Sequence, residues 1–252
     1  MKKSIVSLLL AALLLPALAG CGSTTTPEPE TPAEPAAPEV SDQSGILADS
    51  DAGGTPLSAD ELDWFEDYTA GVHTYYDEEH NWTVTGATEI SCFFTSLYDD
   101  PRDMDAESFL QYFPSEKTLS SEDEAEFALV QKKLDWRGGE DGHLFRVEEL
   151  PVPCHRIPRA RLDEVLMKYA GITVDEMHTD WLECFSYVPE TDCFYTFTSD
   201  FGPGMFVPSY GEKDGDTVTL WSADHSPNNP AVKLTLQRSG EDWHILSHQS
   251  AG

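Results

Sequence analysis

"WLECFSYVPETDCFYTFTS", residues 181–199, is where the pattern of this 252-residue chain changes. Upstream, apolar residues recur at helical spacing. From Trp181 onward they alternate with period two, as in a strand. Pro189-Glu190-Thr191-Asp192 carries turn chemistry, so "CFSYV" and "CFYTFTS" read as the arms of a hairpin. Four strand-like runs follow: "MFVPSY" (205–210), "DTVTLWSA" (216–223), "VKLTLQR" (232–238) and "WHILSHQ" (243–249). The segments "GEKDGD", "DHSPNNP" and "SGED" between them are rich in turn residues. Helices first and strands after imply an α+β fold. A helical N-terminal half should pack on an antiparallel sheet formed mainly by the C-terminal half.

The two cysteines of this stretch admit three readings: a disulfide, a metal site, or small apolar core residues. If Val188 pairs with Cys193 around a four-residue loop, Cys184 falls opposite Phe197. That offset exceeds the roughly 7 Å between Cα atoms that a disulfide tolerates. Close-spaced metal ligands are lacking as well. We therefore expect Cys184 and Cys193 to be unbridged to each other. A bond from either to Cys92 or Cys154 stays open.

Upstream, "LSADELDWFEDYTAG" predicts a helix over 58–70. Ser58 and Glu61 form a capping box, Leu57 and Leu62 a hydrophobic staple, and Gly71 a stop. Residues 72–98 are ambiguous. Trp82 and Val84 alternate, while the Cys92-Phe93-Phe94 cluster suits either a strand or a short helix. "DDPRDMDAESFLQYF" predicts a loop and then a helix capped by Asp103 or Asp105, burying Phe109, Leu110 and Phe113. "SSEDEAEFALVQKKLDWRGG" is a helix with acids first and Lys132-Lys133 last, stopped at Gly138-Gly139. The clearest helix is "IPRARLDEVLMKYAGIT". It has Pro158 near its first turn, a stripe of Leu162, Val165, Leu166 and Tyr169, and Gly171 at the left-handed terminus. A short helical turn over Thr173–Met177 can follow.

The N-terminus addresses the chain. Lys2 and Lys3, an apolar run from Ile5 to Leu15, and small residues after it make a secretory signal peptide over 1–20. Leu18-Ala19-Gly20-Cys21 resembles the lipobox of bacterial lipoproteins. That resemblance implies cleavage after Gly20 and lipid attachment at Cys21: a diacylglycerol thioether, with an acyl chain such as palmitate on the amino terminus. Each buried methylene contributes about 0.8 kcal/mol, so two or three chains hold where one binds reversibly. Residues 21–56 then read as the lipidated cysteine and a disordered tether rich in Pro, Glu and Thr. Residues 57–252 read as a single α+β domain. The expected location is the cell membrane, lipid-anchored, facing the extracytoplasmic side.

Charge narrows the partners. The chain carries 15 basic and 46 acidic residues, a net charge of −31. Loss of Lys2 and Lys3 with the signal leaves 13 bases and a net charge of −33. No Lys or Arg occurs between residues 4 and 101. This excludes nucleic acid, which demands basic patches. It leaves the membrane contacted through the lipid anchor alone, because anionic headgroups repel the chain.

Named chemistry is absent. The sequence has no G-x-S-x-G elbow, H-E-x-x-H, C-x-x-C, P-loop or G-x-G-x-x-G. His244 and His248 fall in the last strand on one face, about 13 Å apart at roughly 3.3 Å per residue, too far for one metal ion. His225 beside Asp224, and His178 with Glu183, are unspecific. Asp49, Asp51, Gly54 and Asp60 fit four positions of an EF-hand loop. However, Gly53 stands at position five, Asp instead of Glu at twelve, and no helix enters. We assign no catalytic residue, no metal and no cofactor. Exposed aromatics among Tyr75, Tyr76, Trp82, Trp136 and Trp221 remain candidates for stacking on a glycan or anchoring a protein.

Three stretches, "FFTSLYDDPRDMDAESF", "LDEVLMKYAGITVDEM" and "YVPETDCFYTFTSD", resemble in order and spacing an uncharacterised family of lipoproteins from gut-type anaerobic bacteria. The resemblance spans roughly residues 57–250. It implies a single α+β unit on a lipoprotein tether and brings no activity. Where the family pattern has a polar His after the hairpin, this chain has Thr196 and Thr198, which argues against catalysis there. The expected function is a lipid-anchored extracytoplasmic binding or interaction protein. A cell-envelope hydrolase acting on glycan or peptide, and an accessory subunit holding a membrane-proximal partner, are the alternatives.

Overall fold

A computed structural model describes residues 53–115, 117–136, 145–184, 186–200, 202–222 and 231–251. The signal peptide, Cys21, most of the tether, Asp49, Asp51, Gly138-Gly139 and His225 lie outside the described residues.

The fold is α+β, with helices mostly in the N-terminal half and antiparallel strands mostly in the C-terminal half. Strand β1 (Thr55–Pro56) comes first. Helix α1 (Ala59–Tyr68) starts at the expected capping box: Glu61 N–H donates to Ser58 Oγ at 3.3 Å, and Ser58 N–H to Glu61 Oε2 at 2.9 Å. Its Phe65 is buried edge-on against Trp243. Strands β2 (Val72–Asp77) and β3 (Trp82–Ala87) form a ribbon turning at Asn81, φ 55°. The ambiguous cluster beyond it resolves as a 3-10 helix, Glu89–Phe94, with Ile90 to Phe94 all buried. Helix α2 (Ala106–Leu110) is capped by Asp105, whose side chain accepts from Ser108 N–H at 2.9 Å.

Strand β4 (Lys117–Thr118) precedes helix α3 (Glu124–Lys133), and strand β5 (Cys154–Pro158) runs directly into helix α4 (Arg159–Ala170). Gly171 ends α4 at φ 67°, the left-handed conformation expected of it. A Cβ there would also lie 2.6 Å from His244 Nδ1. Strands β6 (Tyr187–Val188), β7 (Cys193–Phe197), β8 (Pro208–Asp214), β9 (Thr217–Ser222), β10 (Val232–Ser239) and β11 (Asp242–Ser250) complete the chain.

Two sheets result. One runs β1-β8-β9-β10-β11 and the other β4-β5-β7-β6, both antiparallel throughout. The main core gathers α1, α2 and α4 against the five-stranded sheet. Ile157 and Phe194 reach it from one face of the four-stranded sheet. The other face, Cys154, Cys193 and Tyr195, packs with Phe127 and Val130 of α3. Strand β7 is thus buried on both faces, which is why "CFYTF" reads as a nearly continuous apolar run.

Several expectations are corrected. Thr55–Pro56, at the end of the stretch that reads as tether, pairs with Lys213 and Glu212 of β8. "GEKDGD" is not a loop. Gly211 to Asp214 belong to β8, and only Gly215-Asp216 turn. Pairing with β1 on one side and β9 on the other extends this strand beyond its local pattern. In the hairpin, Val188 does face Cys193. Cys184 does not face Phe197, because it lies in the turn after Trp181; Cys154 of β5 stands opposite Phe197 instead. Cys92, Cys154, Cys184 and Cys193 are all free thiols. Burial pushes the Cys92 and Cys154 thiols up to about 12, far from the reactive range.

His244 and His248 do not share a face. Thr235 pairs with Ser247 but Leu236 with Ile245, so Leu246 is an extra residue in β11. One inserted residue flips the alternation. His248 faces the core beside Leu234, and His244 points to the opposite side beside Gln237.

Candidate functional site

Helix α2 is short. It ends where Gln111 and Tyr112 meet both β7 and the β2–β3 ribbon. Three clefts meet at Gln111. The largest, about 410 Å³, runs from Asp105 and Glu107 to Ser186, Tyr195, Thr196 and Phe197. A second, about 320 Å³, is lined by the ribbon residues His73 and Tyr75, the sheet residues His155 and Thr196, and Thr198 and Asp200 beyond β7. The third, about 290 Å³, runs between Tyr112 and the backbone of Phe94, Gly202 and Gly204. The three open clefts share Gln111 as a common lining residue, the centre of a furrow. No Lys or Arg is among its described lining residues.

Each polar side chain is held by its element. His155 of β5 faces Thr196 of β7 across the ladder. Its Nε2–H donates to Thr198 carbonyl at 2.9 Å, leaving Nδ1 to accept from Thr118 Oγ1 at 3.2 Å. That partner set assigns the tautomer. Tyr195 hydroxyl lies 2.7 Å from Glu126 Oε1 and 2.9 Å from Thr191 Oγ1. Burial raises its pKa, so the phenol is neutral at any physiological pH. Gln111 Nε2 donates to Tyr112 hydroxyl at 3.2 Å. The Tyr112 ring lies so close over Gly202 that a Cβ there would sit 2.9 Å from Cζ. Asp105 is engaged as the α2 cap.

The ribbon forms one wall. Register puts His73, Tyr75 and Trp82 on one face, because His73 pairs with Gly86, Tyr75 with Val84 and Asp77 with Trp82. His73 stacks on Tyr75 at 5.5 Å and His80 on Trp82 at 5.5 Å. Tyr75, Tyr76 and Trp82 are 50%, 57% and 59% exposed, so the aromatic surface of the ribbon is uncovered. Of the other aromatics singled out in the sequence, Trp136 packs against Phe145 and Phe197 in the second core, and Trp221 against Tyr210. Sequence reasoning missed Trp64, which is 49% exposed on α1.

His178 binds Asp103 at 2.9 Å, where the sequence paired it with Glu183. Thr196 and Thr198 line the furrow. Imidazole does reach this region, from His155 on the neighbouring strand. His155, Gln111 and Tyr112 carry no local sequence signal; the β5–β7 pairing sets His155 beside Thr196, and the packing of the end of α2 brings Gln111 and Tyr112 to the same cleft. Among the described residues no group of three His, Cys, Asp or Glu could hold a metal ion, and no helix is long and apolar enough to cross a membrane.

Behind Phe94, at the furrow's edge, lies His248, 3% exposed. Its Nδ1–H donates to Ser96 carbonyl at 2.7 Å, while Nε2 has no partner among the described residues. The rings of Phe94, Tyr98 and Phe206 surround it at 5.7–6.1 Å. Burial lowers its pKa. The unfolded chain therefore binds this proton more readily than the folded one, with an unfolded pKa of about 6.5. Stability is full above that pH and declines as pH falls below it toward the folded pKa. We expect urea midpoints to fall as pH drops below about 6.5. The slope should flatten in His248→Asn, which keeps a donor for Ser96. Asp100 and Asp123, held near 2 by Arg102 and Lys117, lose their contributions only at lower pH.

Fold and furrow define a class: an α+β unit with an open, polar, aromatic-walled cleft. No family model, no curated protein and no solved structure matches the chain.

Proposed function

We propose that this chain is a lipid-anchored extracytoplasmic binding protein whose ligand site is the furrow centred on Gln111. The carrying observation is the meeting of three clefts at one side chain beneath an uncovered aromatic ribbon. Concave sites with a few fixed polar groups are the usual setting for ligands. The lipobox at Cys21, the acidic tether and the resemblance to anaerobe lipoproteins support the location. A hydrolase is the second reading, favoured by Glu107 and Asp200 on two arms of the furrow. Partner binding through the exposed ribbon is the third.

Histidine footprinting with diethyl pyrocarbonate tests the reading. His73 should be modified in the purified protein and protected on intact cells, while His80 at the ribbon turn reacts in both. Equal reactivity of both in both settings counts against an occupied furrow. In the same cells, Cys21→Ala should move the protein from the membrane fraction to the soluble one.

A further inference from the structure

We infer that the furrow's ligand is an uncharged glycan strand, a deduction that rests on the furrow being the binding site. Electrostatics removes anions first. The chain carries a net charge of −31, and the furrow has carboxylates at Asp105, Glu107 and Asp200 with no described Lys or Arg. Within about 8 Å physiological salt does not screen that repulsion. Cations fit less well than neutral groups. Asp105 is engaged by Ser108 N–H, and Gln111, at the junction, supplies an amide. Around it stand the hydroxyls of Ser108 and Thr196, which donate and accept alike.

Shape then separates a glycan from a peptide. A peptide held through a side-chain anchor buries that anchor in a desolvated pocket. This furrow is open, and its aromatic groups, Tyr75 and Tyr112, are walls flanking it. Trp82 continues that wall toward the ribbon turn, on the face shared with Tyr75. A sugar ring matches such a surface, because its C–H face packs on an aromatic ring while its hydroxyls reach amide and hydroxyl partners. Extent argues for a chain. The ribbon's six-residue strands span about 20 Å, and the cleft at its base shares Gln111 with two more clefts.

The test uses the mature protein against an array of neutral oligosaccharides, with cello-, chito-, xylo- and mannotetraose followed by nitrogen-15 NMR titration. At least one should bind with little salt dependence and shift the amides of Gln111, Thr196 and Tyr75. Tyr75→Ala and Tyr112→Ala should each weaken it about tenfold. Trp64→Ala, on α1, should leave it unchanged. Tyr75 is exposed on the ribbon, so its loss should leave the thermal unfolding of the protein unchanged. If no neutral oligosaccharide binds, the inference falls. If a polylysine probe shifts the furrow amides with steep salt dependence, the ligand is cationic and the furrow stands. If an oligosaccharide binds but shifts amides elsewhere, both the inference and the furrow reading fall.

Discussion

Replacing Trp181 with alanine is expected to cost about 3–5 kcal/mol and to lower Tm by roughly 10 °C or more. Trp181 is 1% exposed and is the largest fully buried side chain. Its ring packs on Phe109 of α2 at 5.3 Å and on Phe194 of β7 at 6.5 Å. Its Nε1–H donates to Met104 carbonyl at 3.0 Å. The residue therefore joins α2 to the four-stranded sheet, the two walls of the largest cleft. Thr179 hydroxyl also donates to that carbonyl, at 3.1 Å, so the carbonyl keeps one partner when the indole is removed. Most of the cost is then cavity and lost contact. Trp181→Phe keeps a ring and should cost far less, about 1–2 kcal/mol. Urea unfolding of both variants checks this. A change under about 1 kcal/mol in the alanine variant would sink the account, because no cavity of that size collapses without cost.

The second large effect is expected at Gly204. Three backbone segments cross here. A Cβ on Gly204 would collide with Ser91 carbonyl oxygen and lie 2.7 Å from the Phe94 carbonyl carbon. A Cβ on Gly71 would likewise collide with the Gly204 carbonyl oxygen. The obstacles are backbone atoms, which cannot rotate aside as a side chain can. Gly204→Ala should cost about 1–3 kcal/mol or more and displace the 3-10 helix Glu89–Phe94. Phe94 lines one arm of the furrow, so ligand binding should weaken with it. Faster hydrogen exchange over residues 89–94, with a lower urea midpoint, is the expected result. Gly53→Ala, where a Cβ meets nothing within 4 Å, should be neutral and serves as the control.

Much of the fold was legible because it rests on interactions within a turn or two. The Ser58–Glu61 box, the apolar stripe of α4, Gly171, and the pairing of Val188 with Cys193 all come from neighbours in sequence. The Asp105 cap was one of two local options, and geometry chose it. Strand β5 was illegible. "CHRIP" holds a proline and two polar residues, and it is a strand because β4 and β7 flank it. The bulge at Leu246 was equally hidden, yet it separates His244 from His248.

The amino-acid sequence by itself determined the α+β class, the acidic character of the chain, and the local caps at Ser58 and Gly171; it also carries the signal and lipobox pattern on which the proposed location rests. Tertiary structure alone decided the furrow. His73, Gln111, His155 and Thr196 come from a ribbon, a helix end and two strands that are remote in sequence. Local propensity acts over a few residues, whereas a site is closed by pairings such as Cys154 with Phe197, which only the packed chain can choose.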